Sequence, residues 1–170
     1  MKPLNQDFAF DQLPAKERSE FLAAFFETPK PKLFLAGTKF FRFVTPQKGE
    51  TPKLKGNGIL DAAWWFDKDT HTHVSKLAHK AKTSLAHAAR SSLAITQRFN
   101  TEMEYLCAIR LTASVYGWVG RARWQEDVEL QLCYPGGSPQ VYFPSLATRS
   151  DGLSSAVAKL EMWGFLDDAV

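Results

Sequence analysis

Apolar positions along this chain follow a helical period, then a strand-like one, then both again. Phe21, Leu22, Phe25 and Phe26 recur at helical spacing behind Leu13-Pro14-Ala15, with Pro14 in the first turn. Thr28-Pro29-Lys30-Pro31 ends that run, because proline cannot continue the backbone ladder. Leu33 to Val44 is rich in β-formers and holds one glycine, Gly37, which predicts two strand pieces with a bend. Within it Phe41 and Phe43 alternate with Arg42 and Val44, so Arg42 points away from its phenylalanine neighbours. Thr45 to Gly58 reads as a basic loop, Ile59 to Phe66 as an apolar element and Asp67 to His73 as a polar turn. Val74, Leu77, Ala81, Leu85 and Ala88 step by three and four, predicting a long helix from near His73 with a break at Ser91-Ser92. A further helix is predicted from Thr96 to Arg110, with Phe99, Met103, Leu106 and Cys107 inward. After Leu111 the period falls to two. Ser114 to Gly120, Val128 to Tyr134 and Gln140 to Pro144 read as strands, and Pro135 to Pro139 closes the last two into an antiparallel hairpin. A last helix is predicted from the cap Asp151, burying Leu153, Val157 and Leu160 and ending at Gly164. These elements together predict an α+β fold.

At 170 residues the chain suits one domain, 1–170, with residues 1–30 as a helical segment packed on the core. No apolar run approaches the roughly 20 residues that span a bilayer, and the polar N-terminus lacks a signal core, which predicts a cytoplasmic protein. Cys107 and Cys133 are expected to be buried and reduced. The charge is unevenly spread. Thr28 to Arg98 holds 13 Lys and Arg against 4 Asp and Glu, whereas Phe99 to Val170 holds 5 against 9. Such a basic middle suits an anionic ligand or an acidic partner, or else a solvated helix face.

The four histidines do not make a metal centre. His79 and His87 lie eight residues apart, about 12 Å along a helix, and no Cys or carboxylate stands at zinc spacing from His71 and His73. No structural metal is expected. Gly117-Trp118-Val119-Gly120 and Pro135-Gly136-Gly137 lack phosphate-loop and dinucleotide patterns. Lys39, Arg42, Trp64, Trp65, Arg121, Arg123 and Trp124 have the composition of a nucleic-acid surface, without a recognised domain signature.

Three stretches, in order, resemble the skeleton of the ADP-ribosyltransferase-like fold of bacterial toxins and effectors: Gly37-Thr38-Lys39-Phe40-Phe41-Arg42-Phe43, Ile59-Leu60-Asp61-Ala62-Ala63-Trp64-Trp65-Phe66, and Gly136-Gly137-Ser138-Pro139-Gln140-Val141-Tyr142-Phe143-Pro144. The resemblance implies a split, mostly antiparallel sheet with helices inserted after the first strands. It also implies NAD as cofactor, Arg42 facing its phosphates, Trp64 and Trp65 beside its rings, and Gln140 at the catalytic position. These residues, together with Tyr116, are expected to converge on one cleft that accepts a nucleotide-like anion. Two departures qualify these implications. Ala62 and Ala63 stand where transferases commonly offer Ser or Thr, and Gln140 stands where active enzymes carry Glu. A neutral amide cannot match a carboxylate beside the positive charge that develops at the anomeric carbon. Gln140 therefore implies weak catalysis, a different bond cleaved or a non-catalytic relative, and Gln140→Glu would be expected to raise NAD hydrolysis.

Two functions follow as expectations. One is an ADP-ribosyltransferase-like domain binding NAD or a related nucleotide, acting as a transferase or NAD glycohydrolase within a toxin or effector. The other is a non-enzymatic module, an inhibitor or immunity-type partner, that binds protein through aromatic and basic residues.

Overall fold

A computed structural model describes residues 2–44, 63–97, 103, 105–144 and 158–165. A 3₁₀ turn, Phe10–Gln12, leads into α1 (Ala15–Ala23). Then come β1 (Lys30–Phe34), β2 (Lys39–Val44), β3 (Trp64–Asp67), α2 (Lys68–Ala81) and α3 (Leu85–Leu93). The strands β4 (Tyr105–Leu111), β5 (Val115–Arg121), β6 (Gln125–Asp127), β7 (Leu132–Tyr134), β8 (Pro139–Tyr142) and β9 (Ala158–Phe165) complete the described elements.

Seven strands form one sheet in the order β1-β5-β8-β3-β2-β4-β9, every pair antiparallel, and β6 and β7 form a separate two-stranded ribbon. Gly37, at φ +91°, turns the chain from β1 into β2. Those strands are consecutive in sequence but have three strands between them in the sheet, so the sheet has to fold over on itself. Phe34 of β1 and Phe40 of β2 meet edge-to-face at 4.9 Å, and both reach Phe143. The inner face of the folded sheet encloses Phe34, Phe40, Trp65, Ile109, Leu111, Val115, Val141 and Phe143. The α+β class and the mostly antiparallel sheet hold.

Two further clusters cover the outer face. Helices α2 and α3 pack Val74, Ala78, Leu85, Ala88, Ala89 and Leu93 against Phe41, Phe43, Phe66, Leu106 and Ala108. Phe21 of α1 and Phe25 just after it pack against Trp118 and Tyr142, with Trp64 partly buried beside them. Burying a side chain such as Phe21 contributes roughly 2–3 kcal/mol. Tyr142 also donates a 2.7 Å hydrogen bond to Glu17, which ties α1 to β8. Of the predicted N-terminal stripe only Phe21 and Phe25 enter the core. Leu22, on the solvent side of the helix, and Phe26, beyond its end at Ala23, are exposed.

Several expected elements take another form. The polar stretch after Asp67 is helical, since the Asp67 carboxylate accepts the Thr70 amide at 2.9 Å and caps α2. The helix breaks at Lys82, in the left-handed region at φ 51°, rather than at Ser91-Ser92, and Ser84 caps α3. The helix expected over Thr96 to Arg110 is replaced from Tyr105 onward by β4, and Phe99 lies outside the described residues. The C-terminal helix is contradicted at Leu160 and Gly164, which lie in β9, while Asp151, Leu153 and Val157 are outside the described residues. Both β4 faces are buried, so an apolar run without alternation mimics a helix. The predicted hairpin is also re-paired. Val128 to Gln131 is a turn, β7 pairs with β6, and β8 lies between β3 and β5. Both cysteines are free thiols, but Cys133 is exposed. The loop Thr45 to Gly58 lies outside the described residues.

His71 is stacked on Phe41 at 4.4 Å and lies parallel to Phe66 at 6.4 Å. Burial holds its imidazole below the ordinary 6.5. The unfolded chain therefore takes up a proton that the fold resists. The contribution to stability is full above pH 6.5 and is lost as pH falls from there through the lower folded value. Urea midpoints measured at about pH 7.5 and about pH 5.5 are expected to drop on acidification, and to drop less in His71→Phe.

Candidate functional site

Strand pairing fixes which side chains share a face. On β2 the phenylalanines 41 and 43 enter the helix-covered outer cluster, so Arg42 lies on the inner face, in line with Phe40. Arg42 is paired with Cys107 of β4. Extending the Phe41↔Phe66 register by one step sets Arg42 beside Trp65 of β3, whose partner on β8 is Val141. One inner row therefore runs Cys107, Arg42, Trp65, Val141.

This row surrounds a cation with neutral groups. The Arg42 side chain is half-buried and its guanidinium forms no ion pair or hydrogen bond among the described residues. Its burial pulls the guanidinium below its ordinary value, and the Cys107 sulfur opposes that shift. The Cys107 thiol is itself pushed up to about 12 by burial, so at neutral pH it is uncharged and no counter-ion to Arg42. A guanidinium on a strand flanked by Trp65 and Cys107, with no carboxylate paired to it among the described residues, has the chemistry of an anion site.

The other expected site residues lie elsewhere. Trp65 shares the inner face but is only 1% exposed, so it backs Arg42 rather than offering a stacking surface. Trp64 belongs to the outer face, 5.0 Å from Tyr142 and 5.5 Å from Phe25. Tyr116 is half-buried on β5, on the side that carries Trp118 and Gly120. Gln140 shares the outer face with Tyr142, and its side-chain amide donates to the Leu93 carbonyl at the end of α3. The expected convergence on one cleft is not what the sheet makes. Arg42 and Trp65 are on one face, and Trp64, Tyr116 and Gln140 on the other. Alternation alone sorts each strand into two faces, but only the pairing decides which face of β8 matches which face of β2. Cys107 was missed as a neighbour of Arg42 for the same reason.

A second charged group lies at the outer edge. A bulge in β9 between the partners of Ala108 and Ile109 brings Glu161 onto Lys39, at 2.7 Å, and onto Arg110, which also donates to the Gly37 carbonyl at 2.9 Å. The hydrogen bond from Arg110, then that from Lys39, holds the Glu161 carboxyl below its usual range. The carboxylate is fully partnered, so the group reads as a clasp joining β2, β4 and β9. Among the described residues no three His, Cys, Asp or Glu converge as a metal site would require, and no helix is long and apolar enough to cross a membrane.

No protein-family model matches the sequence, and no curated protein matches it. The fold is similar to that of solved structures. One is a chain from the structure of Tne2 in complex with Tni2, at 18% identity over 81% of this chain and 91% of that one, with a TM-score of 0.50. Another comes from Rhs1-CT in complex with its cognate immunity protein RhsI1, at 13% identity over 82% of each chain, with a TM-score of 0.52. At these identities the likeness concerns the fold.

Proposed function

We propose that this chain is an effector-type module of the ADP-ribosyltransferase-like class, which binds NAD or a related nucleoside diphosphate at Arg42 and works with a cognate protein partner. The observation that carries it is the half-buried Arg42 guanidinium without a counter-charge among the described residues. A pyrophosphate would supply that charge, and the planar fork of donors suits its oxygens. The similarity in fold to a chain from the complex of Rhs1-CT with its immunity protein supports the effector and partner parts of the proposal. Catalysis at Arg42 draws on inner-face groups. Gln140 would have to cross the sheet to reach a nucleotide bound there, and its amide is already engaged by α3.

Calorimetric titration with NAD and with ADP-ribose tests binding. Arg42→Lys keeps the charge but loses the fork, and is expected to weaken binding by about tenfold or more. Arg42→Met is expected to abolish it. Chromatography of the same mixtures separates the activities, since release of nicotinamide with ADP-ribose marks hydrolysis by water, and release with a modified protein marks transfer. No heat at millimolar NAD, in protein whose circular dichroism shows it folded, would end the nucleotide proposal. The protein-binding module would then lead. It is favoured by one observation, the exposed apolar side chains of Phe26, Trp124, Val128, Leu130 and Leu132 around the β6–β7 ribbon.

A further inference from the structure

Helix α2 has a solvent face with little to balance its charge. Lys68, Lys76 and Lys80 are exposed along it, with His73 and His79 between them and Lys82 at its C-cap. The only acidic residue within the helix is Asp69. No Asp or Glu occurs from Thr70 to Thr101. None of the four lysines is in an ion pair among the described residues. The face is rigidly presented, since Val74 and Ala78 on the opposite side are buried against β2, β3 and α3. Its 14 residues extend about 21 Å, comparable to one side of a small protein interface. It lies across the sheet from Arg42.

We infer that this face docks an acidic protein surface. The chemistry of the face separates that partner from the other polyanions. The apolar side of α2 is committed to the core, so the helix has nothing to insert into a lipid interface. The exposed side carries no arginine and no Phe, Tyr or Trp, and so lacks both the phosphate-matching fork and the large stacking platform of nucleic-acid surfaces. Lysines as point charges suit carboxylates, which they meet singly. Leu77, 37% exposed at the edge of the face, adds an apolar contact that a protein surface can cover. Complementary charge of this kind speeds encounter and sets orientation.

The test uses two probes of matched charge, fluorescein-labelled polyaspartate and fluorescein-labelled oligothymidylate, titrated against the whole chain by anisotropy. Polyaspartate is expected to bind more tightly than oligothymidylate. Lys76→Glu/Lys80→Glu is expected to weaken polyaspartate binding by more than about tenfold. Lys16→Glu/Lys30→Glu, an equal charge change at exposed positions away from α2, is expected to weaken it by less than about twofold. These substitutions are on solvent faces, and both variants are expected to fold, which their circular dichroism checks. Equal losses in the two double variants would show a diffuse charge effect and overturn the inference. Tighter binding of oligothymidylate would also overturn it and assign the face to nucleic acid.

Discussion

Gln140→Glu is expected to lower the unfolding free energy by about 2–3 kcal/mol at neutral pH. The last turn of α3 presents carbonyls that neighbours take in sequence, the Arg90 carbonyl also accepting the Ala94 amide of the cap. Ile95 donates to Arg90 at 3.0 Å, Gly136 to Ser91 at 2.9 Å, Ser138 to Ser92 at 3.0 Å, and the Gln140 side-chain amide to Leu93. A carboxylate at 140 removes the donor and sets an acceptor against an acceptor. The lost bond and the unpaired carbonyl together cost about 2 kcal/mol, and a negative charge at the negative end of a helix adds about 0.3–1 kcal/mol. For a chain of this size the melting temperature should fall by roughly 5–10 °C. A protonated glutamic acid can donate again, so the deficit should shrink on acidification, whereas that of Gln140→Met should not. Thermal melts across pH separate the cases. An unchanged midpoint in Gln140→Glu, or raised NAD hydrolysis in a fully stable variant, would show that the amide is not the cap the structure makes it. The glutamine thus has a structural reason that needs no appeal to catalysis.

Gly136→Ala should be more costly, at about 3 kcal/mol or more. Gly136 has φ +71°, and a methyl group there would lie 2.4 Å from the carbonyl oxygen of Ala122. That contact is with backbone held in place by its neighbours. The Ala122 carbonyl accepts the Gly137 amide at 2.8 Å, and the Ala122 amide donates to Ser138 at 2.9 Å. The left-handed conformation costs a non-glycine residue about 1–2 kcal/mol, and an unrelieved clash about 1–3 kcal/mol more. The next residue supplies the control. Gly137 also has positive φ, +97°, but a methyl group there meets nothing within 4 Å. Gly137→Ala should therefore show only the conformational part, and urea unfolding of the two variants should differ by more than about 1 kcal/mol. Equal losses would mean that backbone conformation alone sets the cost at both sites.

Much of the local structure was legible in the sequence. The first helix start, the bend at Gly37, the two faces of β2 and the strand after Ser114 all depend on steric and hydrogen-bonding preferences that act over a few residues. The α+β class followed from the same local periods. Where the sequence misled, burial on both sides was the cause. In β4, Leu106 and Ala108 face the helices while Cys107 and Ile109 face the inner core. The run from Tyr105 to Ile109 is therefore apolar throughout and fits a helical stripe as well as a strand. The opposite failure occurs at Val128, Leu130 and Leu132, whose alternation reads as half-buried but whose side chains are all exposed.

The site shows the same division. That Arg42 leaves the phenylalanine face of its strand was determined by sequence, because successive side chains on a strand point to opposite sides. That its neighbours are Cys107 and Trp65, and that Gln140 lies across the sheet capping α3, only the tertiary structure decided. The separation between residues 42 and 140 carries no information about register. The faces of β2 and β8 are matched through β3, and that pairing comes from packing aromatic side chains on both sides of the folded sheet at once.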